Sequence, residues 1–129
     1  MKILDTLKYT PNHEWLKIEG EEALVGVTDF AQSQLGDIVF VEVETVGEML
    51  EKGESFGTIE AVKTVEDIYL PVSAEIIEFN EALTANPELI NKDPYEGGWI
   101  VRVKLTNPAE AESLLDAKAY EAHVAESAH

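Results

Sequence analysis

The stretch "GTIEAVKTVEDIYLP" (Gly57–Pro71) places a single lysine, Lys63, between two short runs of apolar and acidic residues. The flanking runs "SFGTIEAV" (55–62) and "TVEDIYL" (64–70) are rich in β-branched and aromatic side chains. Such residues favour β-strands, and the two runs meet at the lysine. The pattern therefore predicts a β-hairpin with Lys63 at its exposed tip.

Similar strand patterns lie on both sides of this hairpin. They are "HEWLKIEG" (13–20) and "EEALVGVT" (21–28), which form a second predicted hairpin, and "DIVFVEVE" (37–44), "SAEIIEFN" (73–80) and "WIVRVKL" (99–105). Short helices are predicted for residues 28–36, residues 81–90 and residues 107–125, whereas residues 48–52 and 91–98 are predicted to be turns or loops. Many short strands separated by turns indicate a mostly β fold, either a sandwich or a flattened barrel, with short helices and a C-terminal helix.

The length of 129 residues predicts one domain, residues 1–129, with its core in residues 7–105 and a C-terminal helical segment at residues 107–125. Large apolar residues of the predicted strands define the expected core: Val25, Val27, Ile38, Phe40, Val41, Val43, Ile59, Val62, Val65, Ile68, Ile76, Ile77, Phe79, Trp99, Val101 and Val103.

Composition excludes several classes of function. Nine basic residues against 26 acidic ones give a net charge of −17, which argues against binding nucleic acid or anionic membranes. The absence of cysteine excludes disulfides and thiolate metal sites, and we expect no metal. No apolar run is long enough to span a membrane, and the N-terminus lacks a signal-peptide pattern. We expect a monomer without a targeting segment.

Two chemical roles for Lys63 fit poorly. A phosphate-binding P-loop needs a glycine where Val62 stands, and Glu60 would place a carboxylate inside the phosphate cradle. A Schiff-base lysine needs an apolar pocket or a neighbouring cation to lower its pKa, but the charges nearest to Lys63 in sequence are acidic. The three histidines, His13, His123 and His129, are also distant from Lys63 in sequence. We therefore expect Lys63 to be neither a phosphate ligand nor a catalytic amine.

A third role is covalent attachment of a prosthetic group. The tip of a hairpin is accessible to a modifying enzyme, and two strands hold it rigidly. The same pattern also fits an ordinary exposed lysine in a turn. The residues considered so far leave both interpretations open.

The wider sequence resembles one family closely. "GTIEAVKTVEDIYLPVSAEI" (57–76) is similar to the lipoyl-attachment hairpin of lipoyl domains. "KYTPNHEW" (8–15), "GVTDFAQSQLGDIVFVEV" (26–43) and "ANPELINKDPYEGGWIVRVK" (85–104) resemble segments of glycine cleavage system H proteins, and so does the late "SLLDAKAYEAH" (113–123). The resemblance implies a lipoyl-domain-like hybrid barrel-sandwich.

That resemblance implies a carrier rather than an enzyme, with no catalytic residue and with lipoic acid attached covalently to Lys63. Its arm would take an aminomethyl group from the pyridoxal-phosphate-dependent glycine decarboxylase (P protein) and deliver it to the tetrahydrofolate-dependent aminomethyltransferase (T protein). Dihydrolipoyl dehydrogenase (L protein) would then reoxidise the arm, and a lipoylating enzyme would attach it.

The resemblance also assigns roles to neighbouring residues. Glu60, Val62, Thr64 and Glu66 would present the hairpin for recognition. Asn12, Glu14 and Asp67 would shield the aminomethyl cargo, because carboxylates suit a cationic amine and a closed cleft excludes water. Family members often have serine at positions 12 and 61 and glycine at position 74, where this chain has Asn12, Ala61 and Ala74.

Three other hypotheses accompany this one. An H-like relay protein would share the fold and the lipoyl group but supply lipoyl groups to 2-oxoacid dehydrogenases. A biotin carrier would usually have methionine on both sides of the lysine, unlike Val62 and Thr64. An acidic binding module would carry no prosthetic group. The expected location is the cytoplasm of a bacterium, or the mitochondrial matrix if this is a mature organellar chain.

Overall fold

A computed structural model of the chain describes residues 2–127, without the side chain of Ser127. The strands are β1 (Lys8–Tyr9), β2 (Glu14–Glu19), β3 (Glu22–Val27), β4 (Ile38–Glu42), β5 (Met49–Leu50), β6 (Ser55–Ala61), β7 (Val65–Tyr69), β8 (Ala74–Phe79) and β9 (Val101–Leu105). The helices are α1 (Asp29–Leu35), α2 (Ala82–Ala85), α3 (Leu89–Lys92), a 3₁₀ helix (Pro108–Ser113) and α4 (Ala117–Ser127).

The strands form two separate sheets, as a sandwich requires. The larger sheet has the order β1-β2-β3-β9-β8-β5, and the smaller has the order β4-β6-β7. All pairs in both sheets are antiparallel. The prediction of a mostly β fold with short helices and a C-terminal helix is confirmed. Strand β5 lies where a turn was predicted, and β1 was not predicted, since two-residue strands carry no recognisable alternation.

The space between the sheets holds the main hydrophobic core. Nine of the predicted core residues are buried there, namely Val25, Val27, Ile38, Val41, Ile59, Ile68, Ile76, Val101 and Val103. Burial of a large aliphatic side chain stabilises a fold by roughly 1.5–3 kcal/mol. Phe56, which was not predicted, is also fully buried in this core.

Three core predictions are wrong, because Phe40, Val62 and Val65 are exposed. The pairing of β4 with β6 shifts register between Ile38 and Phe40, and this bulge turns Phe40 outward. Val65 pairs with Glu60, so both side chains lie on the outer face of the smaller sheet.

A second core is largely aromatic and attaches the C-terminal helix. It contains Leu7, Tyr9, Trp15, Tyr95, Ala117, Tyr120 and Val124. Tyr9 and Tyr120 stack with ring centroids 4.5 Å apart, and the Trp15 indole donates to the Pro94 carbonyl at 3.0 Å. This packing holds α4 against β1 and β2.

Helix α1 has the caps that its sequence predicts. The Thr28 side chain accepts from the Ala31 N–H at 3.2 Å, and Gly36 ends the helix with a φ of 79°. Ala74 needs no positive φ, because it is a buried residue of β8 paired with Leu105. Within residues 2–127, no helix combines the length and apolar character needed to cross a membrane.

Candidate functional site

Lys63 lies at the tip of the β6–β7 hairpin, as predicted. The Ala61 N–H donates to the Thr64 carbonyl at 2.8 Å, which closes the turn around the lysine. The Val62 N–H donates to the Asp37 carbonyl at 3.1 Å, which ties the tip to the start of β4. The backbone of Lys63 is thus held on both sides while its side chain is exposed.

The Lys63 side chain passes over the C-terminal end of α1. A Cβ atom added at Gly36 would lie 3.7 Å from Cε of Lys63, an ordinary van der Waals distance. Gly36 directly follows Leu35, which lines the cleft described next. Lys63 and the cleft thus lie at the same end of α1.

A cleft of about 360 Å³ lies between the loop before β2, helix α1 and strand β7. Its lining residues are Pro11, Asn12, His13, Glu14, Val27, Phe30, Ala31, Gln34, Leu35, Ile59, Glu66, Asp67, Ile68 and Tyr69. The structure thus brings Asn12, Glu14 and Asp67 to one cleft, although they are far apart in sequence. Glu66 lines the cleft as well, because it pairs with the inward-facing Ile59.

Glu14 is a buried carboxylate on this cleft, with only 3% of its surface exposed. The Thr10 hydroxyl donates to its Oε1 at 2.6 Å, and the Tyr69 N–H donates to its Oε2 at 3.4 Å. Burial raises the pKa of Glu14 to about 7, and these two hydrogen bonds only partly oppose that rise. Glu14 therefore changes charge near neutral pH.

The raised pKa of Glu14 predicts a pH-dependent stability. The folded chain keeps this proton up to about pH 7, whereas a free glutamate releases it near pH 4.5. The stabilising contribution is therefore lost progressively as the pH rises from about 4.5 to about 7. Relative to Glu14→Gln, the free energy of unfolding of the native chain should fall by about 2 kcal/mol between about pH 5 and pH 8. Urea unfolding of both proteins measures this difference, and parallel pH profiles would contradict it.

The other two predicted shielding residues are more exposed. Asn12 is an exposed loop residue whose backbone N–H donates to Oγ1 of Thr10 at 3.2 Å. Asp67 pairs with Thr58 in the smaller sheet, and its carboxylate accepts from the Ser55 hydroxyl at 3.3 Å. Glu14 is thus the only carboxylate among the three that is buried against the cleft.

The predicted recognition residues surround Lys63. Glu60 and Val62 are exposed, and Thr64 is half-buried, with its hydroxyl 3.4 Å from Oε1 of Glu66. None of these four side chains belongs to the hydrophobic cores. They are accessible to a macromolecule that approaches the lysine.

The cleft has a histidine and aromatic wall that the sequence did not predict. His13 has a φ of 70°, unusual for a residue with a side chain, and its Nδ1 lies 2.8 Å from the Tyr120 hydroxyl. Its ring contacts Phe30 and His123, and burial together with His123 lowers the pKa of His13. No periodic pattern marks such a cluster, because its members come from three distant segments. His129 lies outside the described residues.

Comparisons with known proteins agree with this geometry. A family model described as "Glycine cleavage H-protein" matches residues 7–127. The glycine cleavage system H protein of Bacteroides thetaiotaomicron is 59% identical over 96% of this chain and 98% of its own length, and that of Symbiobacterium thermophilum is 53% identical over 93% and 94%. The crystal structure of a glycine cleavage system H protein from Mycobacterium marinum superposes with a TM-score of 0.87 at 38% identity, covering 95% of this chain and 99% of that one.

H proteins are non-catalytic carriers that hold a covalent lipoyl group on a lysine. They act with the glycine decarboxylase, the aminomethyltransferase and the dihydrolipoyl dehydrogenase of the glycine cleavage system. Such a carrier needs an exposed lysine at a hairpin tip and a cleft nearby. Both are present here, on a sandwich that superposes on the solved H protein over nearly the whole chain. This chain belongs to the glycine cleavage H-protein family, the lipoyl carriers of the glycine cleavage system.

Proposed function

We propose that Lys63 is the residue that carries the lipoyl group, and that residues 1–129 form one lipoyl-carrying domain. The observation that carries this proposal is the position of Lys63, exposed at a rigid hairpin tip with its Cε near the end of α1, a helix that borders the Glu14 cleft. The single domain is supported by β9, which comes late in the chain but lies between β3 and β8 in the larger sheet.

The residues around the lysine would divide two tasks. Glu60, Val62, Thr64 and Glu66 would present the hairpin to other enzymes, and Asn12, Glu14 and Asp67 would shield the cargo. Glu66 can contribute to both tasks, since it also lines the cleft.

When bound, the lipoyl group supplies the disulfide that accepts the aminomethyl group, which a chain without cysteine cannot provide. Glu14 would then bind the cationic nitrogen of the cargo, because an ionised carboxylate held by Thr10 and the Tyr69 N–H is a fixed acceptor. Apolar side chains of the cleft, such as Val27 and Phe30, would exclude water from it.

The cellular role we propose is glycine cleavage in the bacterial cytoplasm. The relatives reported above are bacterial proteins named for the glycine cleavage system, which favours this role over the relay to 2-oxoacid dehydrogenases. The high acidic charge suits a carrier that must visit and leave several enzymes, because it disfavours self-association.

Peptide mapping tests the attachment residue directly. Cleavage after glutamate at Glu60 and Glu66 releases "AVKTVE" (61–66), in which Lys63 is the sole lysine. Protein expressed together with a lipoylation pathway should show one lipoyl group per chain by intact mass, located on this peptide. A lipoyl group found on Lys52 or Lys104 instead, with Lys63 unmodified, would refute the proposal.

A further inference from the structure

The outer face of the smaller sheet exposes several apolar side chains beside Lys63. Val62 is 76% exposed, Val65 60%, Val39 49% and Phe40 46%. Single exposed apolar residues are common on proteins, but a contiguous group is characteristic of interaction sites. Strand pairing determines whether these residues form one surface.

Strand register shows that they do. Phe40 pairs with Glu60, and Glu60 pairs with Val65, so these three side chains form one row across β4, β6 and β7. The bulge between Ile38 and Phe40 exposes both Val39 and Phe40, whereas Ile38 and Val41 stay in the core. Val62 adjoins this row at the hairpin tip.

This face carries negative charge. Glu60 lies between Phe40 and Val65, and the next row across the sheet contains Glu42, Thr58 and Asp67. Asp67 also borders the cleft, because it lies on the edge strand β7. The strands β4, β6 and β7 contain no basic residue. A complementary partner would therefore combine apolar side chains with at least one basic side chain opposite Glu60.

The position of this surface distinguishes among the enzymes that act on an H protein. An enzyme that acylates the bare lysine must bring its active site to the hairpin, since the amine stands on only a four-carbon stem. Enzymes that act on the far end of a lipoylated arm need not bring their active sites so close to the hairpin. A surface that begins at Val62, the residue preceding Lys63, is thus best placed for the acylating enzyme.

We propose that Val39, Phe40, Glu60, Val62 and Val65, here called the Phe40 surface, dock the enzyme that attaches lipoate to Lys63. In that step Nζ of Lys63 forms an amide bond with the carboxyl carbon of a lipoyl adenylate. The bond from that carbon to the phosphate oxygen breaks, AMP leaves, and the ammonium loses two protons. This inference rests on the proposed function, because it assumes that Lys63 is the attachment residue.

The test measures lipoyl attachment to the purified, unlipoylated chain by a lipoate–protein ligase with ATP and lipoate, followed by intact mass. Phe40→Ser and Val65→Thr should each lower kcat/KM by about tenfold, chiefly through a higher KM, because they remove docking contacts but not the amine. The matched control is Ile18→Ser on β2, since Ile18 is 43% exposed and lies in the other sheet. Its kcat/KM should stay within about twofold of the native value.

Two further measurements separate the alternatives. Native and Phe40→Ser proteins that have been fully lipoylated with excess ligase should support equal glycine-dependent CO2 exchange. A tenfold loss of exchange in lipoylated Phe40→Ser would show that the surface serves the cleavage enzymes rather than the acylating enzyme. Equal attachment kinetics for native and Phe40→Ser proteins would overturn the Phe40 surface while leaving the role of Lys63 intact. Lipoylation of Lys63→Arg at the native rate would instead overturn the proposed function.

Discussion

Replacing Lys63 with arginine should abolish lipoylation and, with it, glycine-dependent CO2 exchange. Arginine keeps the positive charge and a similar length, so the hairpin and the position of this side chain near Gly36 should persist. The guanidinium does not lose its proton in proteins and so cannot form the lipoyl amide. Intact mass would show no lipoyl adduct, and exchange with the glycine decarboxylase should fall to the level measured without H protein.

The control for this variant is Lys104→Arg, an exposed position on β9 far from the hairpin in sequence. It should keep full lipoylation and exchange, and both variants should unfold at the native temperature. If Lys63→Arg retains exchange while intact mass shows a lipoyl group elsewhere, the attachment residue has been assigned wrongly. Loss of exchange in Lys104→Arg as well would show that the assay responds to any change of lysine.

The hairpin around Lys63 could be predicted because its signal is local. Two strand-forming runs meet at one polar position, and the turn hydrogen bond from Ala61 to Thr64 needs no distant partner. The same holds for α1, whose caps Thr28 and Gly36 flank the helix in the sequence. Local chemistry of this kind can be read from a single sequence.

The orientation of side chains in the smaller sheet could not be predicted in the same way. Alternation indicates that a segment is a strand, but a single extra residue reverses the inward and outward faces. The bulge at Ile38 and Phe40 depends on the partner strand β6, so "DIVFVEVE" (37–44) alone gives no sign of it. Phe40 was therefore predicted to be buried, whereas it lies beside Glu60 on the outer face.

The burial of Glu14 is also a tertiary effect. In "HEWLKIEG" (13–20) this residue looks like an ordinary polar strand position, and the family resemblance alone marked it. Its environment is formed by Thr10, which is close in sequence, and by Tyr69, which is 55 residues away. Burial, a raised pKa and a position on the cleft together make Glu14 the cleft residue with the clearest chemical role.

The Glu14→Gln variant should weaken binding of the aminomethyl cargo in the cleft. Glutamine has nearly the same shape but cannot carry a negative charge. Removing one partner of a buried ion pair typically costs about 2 kcal/mol or more. That cost corresponds to a loss of roughly 30-fold in the equilibrium constant for docking of the cargo. The loaded variant should therefore break down faster, because water cleaves the exposed aminomethyl thioether to ammonia, formaldehyde and the free thiol. Formaldehyde release from the loaded, isolated protein measures this rate.

The pH dependence distinguishes an ionised Glu14 from a merely structural one. Without cargo the pKa of Glu14 is about 7, so docking a cation requires loss of this proton at acidic pH. Protection of the loaded native protein should therefore weaken by up to tenfold per pH unit below about pH 7, whereas Glu14→Gln should show no such dependence. Glu14→Asp keeps the charge and should restore part of the protection at pH 8. Equal breakdown rates for native and Glu14→Gln proteins across this range would show that Glu14 does not hold the cargo.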